Sequence, residues 1–173
     1  MHLTLIMNNT ELQIYFHHDL SLQQINALYK ASGDTGRSGP DDLRVGLTLY
    51  SGDTPTLISA ARLVHYADGC LLRNLCTHPD YRGCGFASAL LQQLLTNVLA
   101  TDSLLSEDIA GLPLFTIPLP HLNAFYQRHG FSVTQEQGLS EDMQKVIRQS
   151  RRRHKEAVLM KNSQHSVSRL RAL

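Results

Sequence analysis

Residues 72–95 read LRNLCTHPDYRGCGFASALLQQLL, and this stretch decides the fold. An apolar run over residues 71–77 stops at His78-Pro79, a short polar loop leads into Arg82-Gly83-Cys84-Gly85-Phe86-Ala87, and an amphipathic run occupies residues 88–99. The order predicts a strand, a glycine-bearing turn and a helix. A helix start leaves several backbone N–H groups without partners and carries partial positive charge. Glycines just ahead of it let a ligand approach the backbone closely. Together these features suit a phosphate or pyrophosphate, and Arg82 adds a charge-assisted donor at the rim. No Gly-Lys-Ser/Thr follows, so this is not a P-loop. The glycine spacing also departs from the dinucleotide fingerprint, and no acidic residue closes a following strand.

Working outward, residues 43–50, 57–66 and 70–77 are apolar-rich runs separated by the turn-prone 51–55 and Ala67-Asp68-Gly69. Short turns make such neighbours antiparallel. Leu43, Val45, Leu47 and Leu49 alternate onto one side. Ahead of them, residues 3–7 and 11–17 flank Asn8-Asn9, and either pair as a hairpin or leave only the second as a strand. Ser21-Leu22-Gln23-Gln24 is a Ser-x-x-Gln capping box. Leu22, Ile25, Leu28 and Tyr29 then fall on one helical face. Residues 32–42, rich in Gly, Asp and Ser, read as a mobile loop. In the helix after the glycines, Leu90, Leu91, Leu94, Leu95, Val98 and Leu99 form one stripe that packs a core. Residues 101–111 are a polar connection, and 112–119 a strand that Pro118 and Pro120 shorten or splay at its end. A helix is expected over 121–129 with Gly130 as its C′ residue, a strand from 131 to 134, a helix over 140–153 and a strand over 157–161. This succession is a mixed α/β sheet with helices on its faces. Residues 1–161 read as one domain, and 162–173 as a flexible tail.

The chain has 173 residues, enough for one domain with a real core. Formal net charge is +1, so no general attraction to nucleic acid or membrane is implied. The basic residues Arg148, Arg151, Arg152, Arg153 and Lys155 crowd one stretch, which lacks interleaved aromatics and reads as a solvated helix end. There are three cysteines, Cys70, Cys76 and Cys84, with no Cys-x-x-Cys pair, and the nine histidines show no His-Glu-x-x-His spacing. Neither a disulfide framework nor a metal site is expected. Residues 1–7 lack the basic start of a signal peptide, and no apolar run approaches transmembrane length, so a cytoplasmic location is the expectation.

Two motifs in order carry a family resemblance. Arg82-x-x-Gly85-x-Ala87, preceded by His78-Pro79-Asp80-Tyr81, resembles the acyl-CoA signature Arg/Gln-x-x-Gly-x-Gly/Ala of the GCN5-related N-acetyltransferases, the GNAT family. Asn123, followed by Phe125-Tyr126 and then Gly130-Phe131, resembles the family's second motif. The resemblance covers residues 10–161 and is strongest in 71–99 and 112–131. It implies a central, mostly antiparallel sheet in which the strands at 71–77 and 112–119 run parallel and splay apart, with the pantetheine arm of the cofactor between them. It implies acetyl-CoA as co-substrate, no metal, and direct attack of an amine on the thioester in a ternary complex.

Residue by residue, the resemblance carries the pyrophosphate grip onto Arg82, Gly83, Cys84, Gly85, Phe86, Ala87 and Ser88. Strand-edge contacts to the pantetheine fall on Leu75, Cys76 and Thr77, and a contact to the cofactor arm on Asn123. Tyr126 matches the tyrosine that protonates the coenzyme A thiolate in many members. A phenol with pKa ~10 donates to a thiolate with pKa ~8.5 at modest cost. Cys84, at a helix start beside Arg82, sits where the thiolate is favoured. The chain departs from the family at the general base: many relatives carry a glutamate on the strand at 71–77, where this sequence has Arg73 and Asn74. The base is then a water, a histidine such as His78 or His121, or a residue elsewhere. Arg73 suits an anionic acceptor such as an amino-acid carboxylate. The expected acceptor is the primary amine of a small or amino-acid-like molecule, with a protein N-terminus or lysine as the alternative. A coenzyme-A-binding module without turnover is the alternative of another class. Family members are often homodimers, and nothing in the sequence fixes the oligomeric state.

Overall fold

The computed structural model describes residues 2–7, 10–51, 54–99 and 111–162. Side chains are described for all of these except residues 2–7, 10–12, 51 and 97–99, so the expected helical turn and polar connection over 101–110, the tail over 163–173, and Val98 and Leu99 of the helical stripe lie outside the description. The chain forms two compact units, Met1–Leu63 with Asn74–Leu95, and Val64–Arg73 with Thr96–Leu173.

The first unit is built on a meander. Strands β1 (His2–Met7), β2 (Thr10–His17), β3 (Leu43–Ser51) and β4 (Thr54–Tyr66) pair antiparallel in that order. The hairpin reading of the first two runs is therefore the one observed. Val45, Leu47 and Leu49 of β3 are buried, as their alternation requires. Helix α1 (Leu22–Ala31) opens with the expected capping box: Gln24 N–H donates to Ser21 Oγ at 3.2 Å and Ser21 N–H to Gln24 Oε1 at 2.9 Å. Ile25, Leu28 and Tyr29 pack with Leu20 and Ala60, whereas Leu22, the first residue of the helix, stays exposed. Strand β5 (Gly69–Thr77) leads through a short 3-10 turn, Pro79–Tyr81, to α2 (Phe86–Leu99). That helix buries Phe86, Leu90, Leu91, Leu94 and Leu95.

Residues 32–42, expected as a mobile loop, are instead tied down by a polar network. Asn74 Nδ2 donates to Asp34 Oδ1 (2.9 Å), and Arg62 Nε donates to Asn74 Oδ1 (2.9 Å). Arg62 also forms an ion pair with Asp42 at 2.6 Å, both side chains nearly buried, and Asp42 accepts from Gly39 N–H and Ser38 Oγ. Arg44 donates to the carbonyls of Leu20, Gly39, Pro40 and Asp42. Composition marks the segment as a loop, but its partners lie on strands far away in sequence.

In the second unit, β5 pairs in parallel with β6 (Leu114–Thr116) over Cys70–Leu72 only. Strand β6 continues antiparallel to β8 (Met160–Asn162), which pairs antiparallel with β7 (Phe131–Val133). The strand expected over 112–119 is thus three residues long. Pro113 precedes it and Pro118 follows, and proline cannot donate to a ladder. The helix expected over 121–129 begins as a 3-10 turn, Pro120–Leu122, and becomes α3 (Asn123–Arg128), closed by Gly130 at φ +80°. Asn162, read as the start of the tail, is the last residue of β8: it is buried, faces Phe131 in the ladder and donates to His129 O at 3.0 Å.

Helix α4 (Glu141–Arg153) packs Met143 and Ile147 against Leu71, Phe115 and Leu159. Its basic last turn suits the helix dipole, and Arg151 pairs with Glu136. Its N-cap is doubly secured. Ser140 Oγ accepts from Met143 N–H at 3.4 Å, while the Asp68 carboxylate accepts from Ser140 N–H (2.9 Å) and from its hydroxyl. No helix among the described residues is long and apolar enough to cross a membrane. Asp68→Ala removes the acceptor that orients the cap. It should cost about 1–2 kcal/mol, read as a fall in Tm of about 2–4 °C per kcal/mol in thermal unfolding. An unchanged Tm would show that Ser140 caps unaided.

Candidate active site

In the first unit, the end of β5 and the start of α2 are joined by the 3-10 turn and the glycine pair. Gly83 has φ +78° and Gly85 φ +82°, conformations that L side chains rarely adopt. A Cβ at either position would meet nothing within 4 Å, so the backbone there is open to an approaching group. Ala89 N–H bonds to Gly85 O at 3.0 Å, which makes Gly85 the N-cap. By helix geometry, the N–H groups of Phe86, Ala87 and Ser88 point out of the helix start. Phe86 is buried and anchors the turn, Ala87 and Ser88 are half-buried, and Cys84 is exposed with Sγ 3.7 Å from Arg82 O. The Arg82 side chain does more than mark a rim. Its guanidinium donates to Ser32 O (2.7 Å) and Thr77 O (3.3 Å), tying the end of α1 to the end of β5.

Leu75, Cys76 and Thr77 are half-buried at the end of β5. Cys76 O accepts from Ser59 Oγ at 2.8 Å, and Thr77 O accepts from Ser32 Oγ as well as from Arg82. Burial pushes the Cys76 thiol up to about 11, with the Asp34 carboxylate adding to the rise and a hydrogen bond to Ser32 opposing it. Arg73 is half-buried on the same strand. His78 Nδ1 accepts from Asp80 N–H at 3.4 Å, and His121 is exposed.

The second unit holds Asn123 and Tyr126, brought to one end of α3. Asn123 is the first residue of the helix, and its Oδ1 is buried without a hydrogen-bond partner, an orphaned acceptor that suits an amide donor of a pantetheine arm. Tyr126 is buried between Phe125 and Phe131, whose rings meet it edge-on at 5.1 and 5.6 Å. Burial pushes its phenol up to about 12, and a hydrogen bond with the Thr116 side chain pulls the other way. Thr116 itself donates to Leu72 O at 3.3 Å. The residues that motif reading missed are Tyr29, Ser32, Asp34, Ser59 and Thr116. Ser59 and Thr116 carry a signal, each as a polar residue in an apolar stretch of strand.

The glycine-turned helix start lies in the first unit, and the short helix bearing Asn123 and Tyr126 in the second. Residues 52–133 match the family model described as the acetyltransferase (GNAT) domain. Among solved structures the chain is similar to N-acetylglutamate synthase from Neisseria gonorrhoeae complexed with coenzyme A and N-acetyl-glutamate, at TM-score 0.60 and 15% identity over 86% of this chain and 34% of that one. It therefore spans about a third of that relative. It is also similar to the ribosomal-protein-S18-alanine N-acetyltransferase of Escherichia coli, at TM-score 0.55 and 16% identity over 86% of this chain and 92% of that one. An acyl-CoA N-acyltransferase from Pseudomonas aeruginosa gives TM-score 0.54 and 16% identity over 88% and 99%. No curated protein matches the sequence.

The three thiols should react unequally. With Cys70 buried and its thiol, like that of Cys76, pushed up to about 11 by burial, iodoacetamide at pH 7.5 should alkylate Cys84 alone in the native protein. Peptide mass spectrometry reads the outcome. Modification of Cys76 at a rate similar to Cys84 would show that the strand end opens in solution.

Proposed function

We propose that this chain transfers the acetyl group of acetyl-CoA to the primary amine of a small or amino-acid-like acceptor by direct attack in a ternary complex. Residues 1–161 are read as one functional domain for this purpose. The observation that carries the reading is the open glycine turn at the start of α2, inside the stretch that matches the family model. Its outward N–H groups, with Arg82, Gly83, Cys84, Gly85, Phe86, Ala87 and Ser88, hold the pyrophosphate. Leu75, Cys76 and Thr77 face the pantetheine, and Asn123 Oδ1 accepts from it. Arg73 meets a carboxylate of the acceptor. The synthase structure holds N-acetyl-glutamate and the ribosomal-protein enzyme is named for an alanine, so amines of amino-acid type are the first to test. A protein N-terminus is the second reading, supported by that latter likeness.

Tyr126 is the hydrogen-bond donor to the departing thiolate. At about 12, full transfer to a thiolate near 8.5 would cost about 5 kcal/mol. The phenol therefore acts by a hydrogen bond that strengthens as charge grows on sulfur. Because the raised value favours the neutral phenol, its proton persists to higher pH than that of an ordinary tyrosine. Tyr126→Phe should lower kcat about 100-fold, and the ratio of wild type to variant should stay constant from pH 7 to about pH 10. A ratio falling toward one by pH 10 would mean an ordinary, exposed phenol.

The cofactor site is tested by titrating acetyl-CoA calorimetrically into wild type, Gly85→Ala and Gly85→Glu. At φ +82° either variant carries backbone strain, but an alanine Cβ meets no atom, so alanine reports strain alone. Binding by wild type and by Gly85→Ala, with loss in Gly85→Glu, is the expected pattern. A folded wild type that does not bind acetyl-CoA would overturn the proposed activity.

A further inference from the structure

The transfer needs a group that takes a proton from the incoming ammonium, and β5 carries no acid for it. One carboxylate is held against the second half of that strand. Asp34 Oδ1 accepts from Asn74 Nδ2 at 2.9 Å and from Gly36 N–H at 2.7 Å. Among the described residues Oδ2 has no hydrogen-bond partner, and no lysine or arginine pairs with the carboxylate. Asn74 precedes Cys76 by two residues, roughly 7 Å of strand. Gly36 permits the approach: a Cβ there would lie 2.0 Å from Asn74 Nδ2.

A second observation marks the same place. Tyr29 is 1% exposed, packs in one cluster with Cys76, and its hydroxyl has no hydrogen-bond partner. A buried hydroxyl left unpaired costs about 1–3 kcal/mol, so a water or a ligand atom is expected to complete it. Burial drives this phenol far above its ordinary range, with Cys76, Asp34 and Asp42 pushing the same way and Arg62 opposing, and Asp34 N–H donates to Tyr29 O at 2.9 Å.

We propose that Asp34 is the proton acceptor for the attacking amine, and that the Tyr29 hydroxyl hydrogen-bonds the amine or the water that links it to Asp34. This rests on the acetyltransferase reading above and names the base it lacks. The ammonium gives one proton to Asp34, which releases it to solvent. The nitrogen lone pair forms the N–C bond at the thioester carbonyl as the C–S bond breaks, and sulfur leaves with its electron pair. The second amine proton is the one that ends on the coenzyme A thiol. The Asp34 charge acts on Tyr29 of α1 together with Asp42 and Arg62, and on Cys76 of β5 together with Arg82, and Asn74 links Asp34 to Arg62.

The test measures coenzyme A release from acetyl-CoA with a panel of L-amino acids, spermidine and a pentapeptide with a free N-terminal alanine. It compares wild type, Asp34→Asn and Asp34→Glu from pH 6 to 9. Asparagine keeps the acceptor atom for Asn74 and Gly36, so acetyl-CoA affinity should hold. Asp34→Asn should lose about 100-fold in kcat/KM at neutral pH. Its rate should climb about tenfold per pH unit below the amine pKa, because only the free amine then reacts, while the wild-type profile stays nearly flat. Asp34→Glu should restore part of the rate. An active wild type with Asp34→Asn of equal rate and profile would overturn the assignment, as would loss of acetyl-CoA binding in that variant, which would make Asp34 a loop anchor. A wild type that binds acetyl-CoA but transfers to no amine would overturn the acetyltransferase reading itself, and the role of Asp34 with it.

Discussion

Asn74 is a non-glycine residue held at φ +51° inside a strand, and the polar side of the first unit depends on it. A left-handed residue costs about 1–2 kcal/mol, least for Asn and Asp. The conformation interrupts the alternation of side chains along β5 and turns the Asn74 amide toward the segment between α1 and β3. There it bridges Asp34 and Arg62, and Arg62 passes the connection on to Asp42. One strained backbone angle thereby fixes a loop that has no regular secondary structure to fix it. Ser32 and Arg82 close the other end by bonding to Thr77 O and, from Arg82, to Ser32 O. The residue that resembles a pyrophosphate ligand is therefore also a strut that ties the end of α1 to the end of β5.

The two groups proposed to handle protons stand in opposite surroundings, each within its own unit. Tyr126 is buried among aromatic rings, which favours its neutral, proton-bearing form. Asp34 is half-buried and held by two neutral N–H donors rather than by a cation.

Much of this was legible in the chain, and the failures have physical causes. The glycine turn, the meander, the capping box at Ser21 and the stripe on α2 are local, and local patterns report them. The strand before α3 was overdrawn because apolar composition continues through Pro113 and Pro118, while ladder donors do not. Asn162 was assigned to a tail because a single polar residue after an apolar run looks like its end. It is buried in β8, with its amide spent on His129 O. Asp34 was invisible as a candidate because nothing within the segment 32–42 distinguishes its aspartates. Their difference is made by Asn74 and Arg62, strand residues distant in sequence.

That distance bears on how a base can move from a strand to a loop within one fold. A strand carboxylate is placed by the sheet itself. A loop carboxylate needs a bracket, and the bracket must not neutralise it. Arg62 reaches Asp34 only through Asn74: its Nε ends on Asn74 and its terminal nitrogen on Asp42. Asn74 stands between cation and carboxylate, donating to one and accepting from the other. The arginine charge is thus paired with Asp42, while Asp34 is held through Oδ1 by two neutral N–H donors. Exchanging the asparagine for an acid would set a second carboxylate beside Asp34 and give Arg62 two anions to divide itself between. Within the proposed mechanism, the amide at position 74 holds the loop acid without neutralising it, as a base in place of a strand acid requires.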